Sequence, residues 1–125
     1  MYIKSAKDLD VYKMDYEQAM EIFKVSKTFP KEEKYSLTDQ IRRSSRSVCS
    51  NLREAWAKRR YLAHFTSKLT DCDGENSETE TWLDFAKDCR YLDEAVHNGM
   101  IQRNHRIGQM IGAIINNPNP FCKNG

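Results

Sequence analysis

Proline and glycine are scarce in this chain, at 3 and 5 of 125 residues, and two of the prolines, Pro118 and Pro120, sit in the last eight positions. Only Pro30 interrupts the body. That excludes turn-dense β architectures and collagenous or low-complexity classes, and with 30% charged residues it favours helices. Cysteine pairing signals are also missing. Cys49, Cys72, Cys89 and Cys122 form no C-x-x-C pair and keep no ligand-like spacing with a histidine. This argues against a zinc module or a disulfide framework and for reduced thiols in a cytoplasmic protein. Long apolar runs are absent as well. The longest uncharged stretch, Ile107–Cys122, is broken by Gly108, Gly112 and two prolines, and Lys4, Lys7 and Asp8 break up any leader-like core, so neither a membrane span nor a signal peptide is expected.

Catalytic constellations are equally hard to find. His64, His97 and His105 are scattered. A di-iron carboxylate bundle needs two Glu-x-x-His motifs and two further inward glutamates. Here there is one, Glu94–His97, at a helix start expected to face solvent, while Glu75, Glu78 and Glu80 supply carboxylates without a second histidine motif. Ser44, Ser45, Ser47 and Ser50 lack a glycine-flanked elbow, and there is no phosphate-cradling loop. The sequence reads as non-enzymatic, with no metal and no cofactor.

What the chain does have is helical periodicity and arginine. A mean hydropathy of −0.79 fits long amphipathic helices with charged outer faces. Four helices are expected, at about 8–28, 33–58, 61–91 and 94–116, followed by an irregular tail at 117–125. The first carries an inner line of Leu9, Tyr12, Tyr16, Ala19, Phe23 and Ser26, with Met20 and Ile22 beside it, and ends before Pro30. The third carries Phe65, Leu69, Cys72, Asn76, Thr79, Leu83, Ala86 and then Arg90, a heptad-like seam that favours one unbroken helix through Gly74. The fourth starts at an Asp93 cap and runs through Val96, Met100, Ile107, Ile111 and Ile114. Short connections make this one domain, an all-α antiparallel up-down-up-down four-helix bundle.

The second helix holds the densest signal. Leu37, Ile41, Val48, Leu52 and Ala55 share one face, while Arg42, Arg46, Arg53 and Arg60 fall within about 40° of one another on a different face. On an unbroken helix that row is roughly 27 Å long. Residues 31–60 hold nine Lys/Arg against four Asp/Glu, and residues 71–94 hold two against nine. Packing the second helix on the third would set part of the basic row against acid. Arg42 and Arg43, beside Gln40 and Ser45, are expected to be partly buried and to pair with a carboxylate such as Glu54 or Glu78. Arg46, Arg53, Lys58, Arg59 and Arg60 lie toward solvent and are the candidates for contacting a polyanion.

Gln40, Asn51 and Glu54 flank the second helix, and Asn76 and Thr79 lie on the seam of the third. Unpaired buried amides cost on the order of 1–3 kcal/mol, so such groups should find one another. They form either a polar layer that fixes helix register or a ligand pocket. Trp82 and Phe85 do not both fit the inner line of the third helix. With Met20, Ile22, Ile101, Met110 and Ile115 off the inner lines, this predicts self-association.

Several segments carry a family resemblance: Phe29–Leu37 (FPKEEKYSL), Gln40–Ser45 (QIRRSS), Val48–Leu52 (VCSNL), Trp82–Ala86 (WLDFA) and Cys89–Leu92 (CRYL). The chain resembles the four-helix bundle proteins also called the 23S rRNA intervening-sequence proteins. It departs from them after Asn51, where the family commonly has Ile-Ala-Glu-Gly and this chain has Leu52-Arg53-Glu54-Ala55. Ala55 in place of glycine fits a longer second helix, and Arg53 adds a charge to the row. The resemblance implies a ring-like homopentamer with no enzymatic activity attached. Some members are encoded within inserts of large-subunit rRNA genes. A related bundle is the accessory protein of diversity-generating retroelements, which works with a reverse transcriptase and binds nucleic acid. RNA or DNA, a reverse transcriptase or similar enzyme, and further copies of the chain are thus the implied partners. The leading expectation is an oligomeric nucleic-acid-associated module. The alternative is a structural or protein-interaction scaffold whose arginines make intersubunit salt bridges.

Overall fold

The computed structural model describes residues 3–122. Four helices account for most of them: α1 (Asp10–Ser26), α2 (Asp39–Ala57), α3 (Leu62–Asp88) and α4 (Glu94–Asn116), with no strand among the described residues. α1 packs on α2 and α4, and α3 packs on α2 and α4, so the four surround a common interior. The cross-helix partners of α2 and α3 fix their register: Arg43 meets Glu75 and Glu78, and Ser44 meets Thr79, whereas Asn51 and Glu54 both meet Lys68.

Helix ends follow local chemistry. The Asp93 carboxylate accepts the Val96 N–H at 2.8 Å and caps α4, as the sequence predicts. α3 runs unbroken through Gly74 but stops before Arg90, which adopts φ 66°. The Arg90 N–H bonds the Lys87 carbonyl and the Tyr91 N–H bonds the Ala86 carbonyl, the paired bonds of a Schellman turn. Arg90 therefore ends the helix instead of extending its inner line. α2 begins later than its pattern suggests, because Lys31–Glu33 form a 3-10 turn and Lys34–Thr38 a wider π turn that delivers Leu37 and Thr38 to the interior. α2 also ends earlier, at Ala57, where the Lys58 N–H bonds back to Glu54 and Ala55. The tail is not wholly irregular, since Asn119–Phe121 form a 3-10 turn and Phe121 lies 6.4 Å from the Phe65 ring; residues 123–125 lie outside the described part.

The interior consists of two apolar clusters. One gathers Leu9, Val11, Val48, Leu52, Phe65, Leu69, Ile107, Ile111 and Ile114; the other gathers Ile22, Phe29, Leu37, Ile41, Leu83, Leu92 and Met100. Buried polar groups from the middle of all four helices accompany them. The Asn76 and Asn104 amides bond each other's helices, with Asn76 Nδ2 donating to the Asn104 carbonyl at 2.9 Å and Asn104 Nδ2 to the Asn76 carbonyl and Oδ1 at 3.1 Å. Thr79 donates to Ser44 Oγ at 2.8 Å, and Gln18 Nε2 to the Met100 carbonyl at 2.8 Å. The α3 line from Phe65 to Ala86 is buried as its spacing predicts.

α1 is rotated from its expected orientation. Its buried line is Val11, Asp15, Gln18, Ile22 and Ser26, with Ala19 beside it. That line is displaced by one residue, about 100°, from Tyr12, Tyr16 and Phe23. Ile22 is fully buried, not an off-line residue, while Tyr16 is 56% and Met20 42% exposed. The reason is polar: Asp15 and Gln18 sit inside where an apolar residue would be expected, and the aromatics turn toward α2.

Candidate nucleic-acid interface

The outward turn of the α1 aromatics gives the arginine row its setting. Phe23 lies beneath three cations: Arg42 with its guanidinium carbon 4.8 Å from the ring centroid, Arg46 at 5.5 Å and Lys27 Nζ at 4.7 Å. Seven residues further along α2, Arg53 sits 5.5 Å from the Tyr12 ring and donates to the Tyr12 hydroxyl at 3.2 Å. A guanidinium laid on a ring is held in place by the ring quadrupole while its edge N–H groups remain available to an acceptor.

Three adjoining recesses follow this seam. The first is lined by Lys27, Lys31, Lys34 and Arg42, the second by Phe23, Arg42, Arg43, Arg46 and Asp39, and the third by Tyr12, Tyr16, Met20, Arg46, Cys49 and Arg53. Among the described residues, Arg42, Arg46 and Arg53 have no acidic partner within ion-pair distance. The row therefore faces α1, not the acidic helix α3. The expected neutralisation of α2 by α3 is confined to Arg43, which pairs with Glu75 at 3.2 Å and with Glu78. In the reverse direction, Lys68 of α3 pairs with Glu54 at 2.6 Å and Asp71 at 3.5 Å.

The expected structural pairs differ in the same way. Arg43 is exposed and its two carboxylate partners are not buried, so this is a surface network worth about 1 kcal/mol or less. Arg42 is half-buried, but it bonds Ser26 Oγ at 2.8 Å and the Phe23 carbonyl at 3.3 Å instead of a carboxylate. Glu54 is exposed, and its carboxyl is held below the ordinary range by a hydrogen bond from Lys68. Glu78 is half-buried and accepts from Arg43 and from Trp82 Nε1 at 3.2 Å. Asn51 is half-buried, donating to the Ser47 carbonyl and accepting from Lys68. Gln40 is half-buried too, and only Asn76 of the expected amides joins the interior.

The polyanion candidates separate into two groups. Arg46 and Arg53 line the groove. Lys58, Arg59 and Arg60 belong to the turn after α2, with Arg59 stacked 4.0 Å from the Trp56 ring and bonded to the Trp56 carbonyl, and Arg60 5.9 Å from the Tyr61 ring. Because α2 ends at Ala57, the helical row is Arg42, Arg46 and Arg53, about 16 Å long. Lys27, Lys31, Lys34 and the three aromatics were not read from the sequence as part of this site. The available signal was the 4-3-4 spacing of Val11, Asp15, Gln18 and Ile22, a buried line once its two polar members are accepted.

Asp15, Cys49 and Cys72 are buried. Asp15 is 1% exposed and burial pushes its carboxyl up to about 7. Burial and the neighbouring Asp15 push the Cys49 thiol up, and burial raises Cys72 to about 12, so neither thiol forms a ready nucleophile. His97, expected at an exposed helix start, is buried with Nε2 2.9 Å from Asp84, and His105 lies 2.9 Å from Glu80. Among the described residues no group of three or more His, Cys, Asp or Glu gathers as a metal site, and no helix is long and apolar enough to cross a membrane.

Comparison with known proteins adds the lineage. A crystal structure of a protein of unknown function, from the S23 ribosomal protein family of Bacteroides thetaiotaomicron, superposes with a TM-score of 0.76 at 28% identity, covering 85% of this chain and 95% of that one. No curated protein matches the chain significantly. The family model described as 23S rRNA-intervening sequence protein matches residues 7–113, and on that extent the chain belongs to the 23S rRNA-intervening sequence protein family.

Proposed function

We propose that this protein is a non-enzymatic nucleic-acid-associated module that holds a polyanion in the α1–α2 groove. The observation that carries the reading is the set Arg42, Arg46 and Arg53, stacked on Phe23 and Tyr12 and unpaired with acid among the described residues. Arg46 presents its guanidinium edge in this way, and Arg42 and Arg53 present the N–H groups left over by their bonds to Ser26, Phe23 and Tyr12; these match phosphate oxygens. The net charge of +2 is small, so affinity comes from the local row and from repetition. The opposed residue pairs of α2 and α3 support an antiparallel up-down-up-down bundle. Self-assembly, as a pentamer by family resemblance, would multiply a weak patch several-fold. A reverse transcriptase or similar nucleic-acid enzyme is the partner class by the same resemblance, and the cytoplasm is the proposed location.

The test is binding of structured RNA and duplex DNA at two salt concentrations. Each neutralised phosphate contributes close to one unit to the log–log salt slope, so three arginines should contribute about two to three. Absence of binding even at low salt removes the proposal. The scaffold reading has an observation of its own. Phe85 is 54% exposed with its ring 6.0 Å from that of Trp82, a surface suited to another chain. It wins if glutamine at Arg46 and Arg53 dissociates the oligomer.

A further inference from the structure

We infer that the α1–α2 groove takes unpaired nucleotides, with a base stacked on Tyr16 and flanking phosphates on the cations to either side; this rests on the polyanion reading above. Charge alone would serve a duplex equally well, but the middle of this groove is aromatic. Tyr12 and Tyr16 stack with centroids 6.3 Å apart at 23°, and Arg53 covers Tyr12. The stack thus runs Arg53, Tyr12, Tyr16, and its outer member is 56% exposed.

Recesses open on both sides of this pair. The one of about 460 Å³ holds Arg46 and Arg53 with Met20, and the other, of about 330 Å³, holds Lys7 and Lys13. A strand crossing the tyrosines therefore meets cations before and after a stacking platform. Arg46 and Arg53 stand about 10 Å apart along the helix axis, which leaves room for a base between the phosphates they contact. In a duplex the base faces are already stacked on each other, so none is free to stack on Tyr16. In a single strand, stacking on an aromatic side chain is sequence-tolerant and adds to the phosphate contacts.

The experiment is fluorescence anisotropy at low salt with three probes: a labelled twelve-nucleotide single strand, the same length with abasic sites, and the matching duplex. Each is titrated with the full-length protein and with Tyr16→Ala, Tyr16→Phe and Arg46→Gln. The single strand should bind at least about tenfold tighter than the abasic strand, and Tyr16→Ala should remove most of that difference while Tyr16→Phe keeps it. Arg46→Gln should weaken the single strand and the abasic strand alike. Equal or tighter binding of the duplex, or a single-strand affinity unchanged by Tyr16→Ala, overturns the inference and leaves the polyanion reading standing. Failure of all three probes to bind removes both.

Discussion

Replacing Asp15 by asparagine tests the interior of this bundle most sharply. Asp15 is 1% exposed, its Oδ2 has no hydrogen-bond partner among the described residues, and burial lifts its carboxyl from 3.8 to about 7. Between about pH 4 and pH 7 the unfolded chain has this carboxylate ionised while the folded chain keeps it protonated. The folded state then binds more protons, so stability falls as pH rises across that window and levels off above it. A difference of about three pKa units is worth roughly 4 kcal/mol at 1.36 kcal/mol per unit. Asparagine has the same shape and cannot ionise. At pH 8 Asp15→Asn should therefore be more stable than the parent by about 2–4 kcal/mol, after allowing about 1 kcal/mol for a weakened hydrogen bond with Cys49. At pH 4, where the parent carries no such penalty, the variant should be the less stable by up to about 1 kcal/mol. Urea denaturation followed by circular dichroism at pH 4, 6 and 8, at one fixed protein concentration, measures this. A variant no more stable than the parent at pH 8, or one whose stability follows the same pH slope, refutes the reasoning.

Three further outcomes follow from named contacts. Arg90→Gly relieves a non-glycine residue held at φ 66° and should raise stability by about 1 kcal/mol, read as an upward shift of the urea midpoint. Asn104→Ala leaves Asn76 Oδ1 unpaired in the interior and opens a small cavity, so it should cost about 2–4 kcal/mol in the same assay. Arg43→Gln breaks only an exposed network with Glu75 and Glu78 and should cost less than about 1 kcal/mol, and a loss of about 3 kcal/mol or more would refute its surface character.

Legibility in the sequence depended on how apolar each buried line is. The α3 line was readable despite Asn76 and Thr79, because Phe65, Leu69, Cys72, Leu83 and Ala86 hold the spacing on both sides of them. The α1 line was not, because Asp15 and Gln18 occupy its centre and a continuous aromatic line lies one residue away. Hydropathy prefers the aromatics; the fold buries the polar pair and spends the rings as a bed for arginine. The direction faced by the arginine row was lost for the same reason, since it depends on where Tyr12 and Phe23 point. The asparagine pair was half legible: Asn76 stood out on a seam, but Asn104 shares a stretch with Asn98, Gln102 and Arg103 and gives no separate signal. Helix ends were legible where a side chain makes them, as at Asp93, and illegible where the backbone does, as at Arg90 and in the Lys34–Thr38 turn.

The most direct test of the groove is the double substitution Arg46→Gln and Arg53→Gln, compared with the parent for nucleic-acid affinity across a salt series. Both arginines are exposed and neither has an acidic partner among the described residues, so only their contacts with Phe23 and Tyr12 are lost and the melting temperature should fall by no more than a few degrees. The account predicts at least about tenfold weaker binding at low salt and a salt slope reduced by roughly 1.4 units for a single strand, or about 1.8 for a duplex. Unchanged affinity and slope, with the protein folded as before, would contradict it.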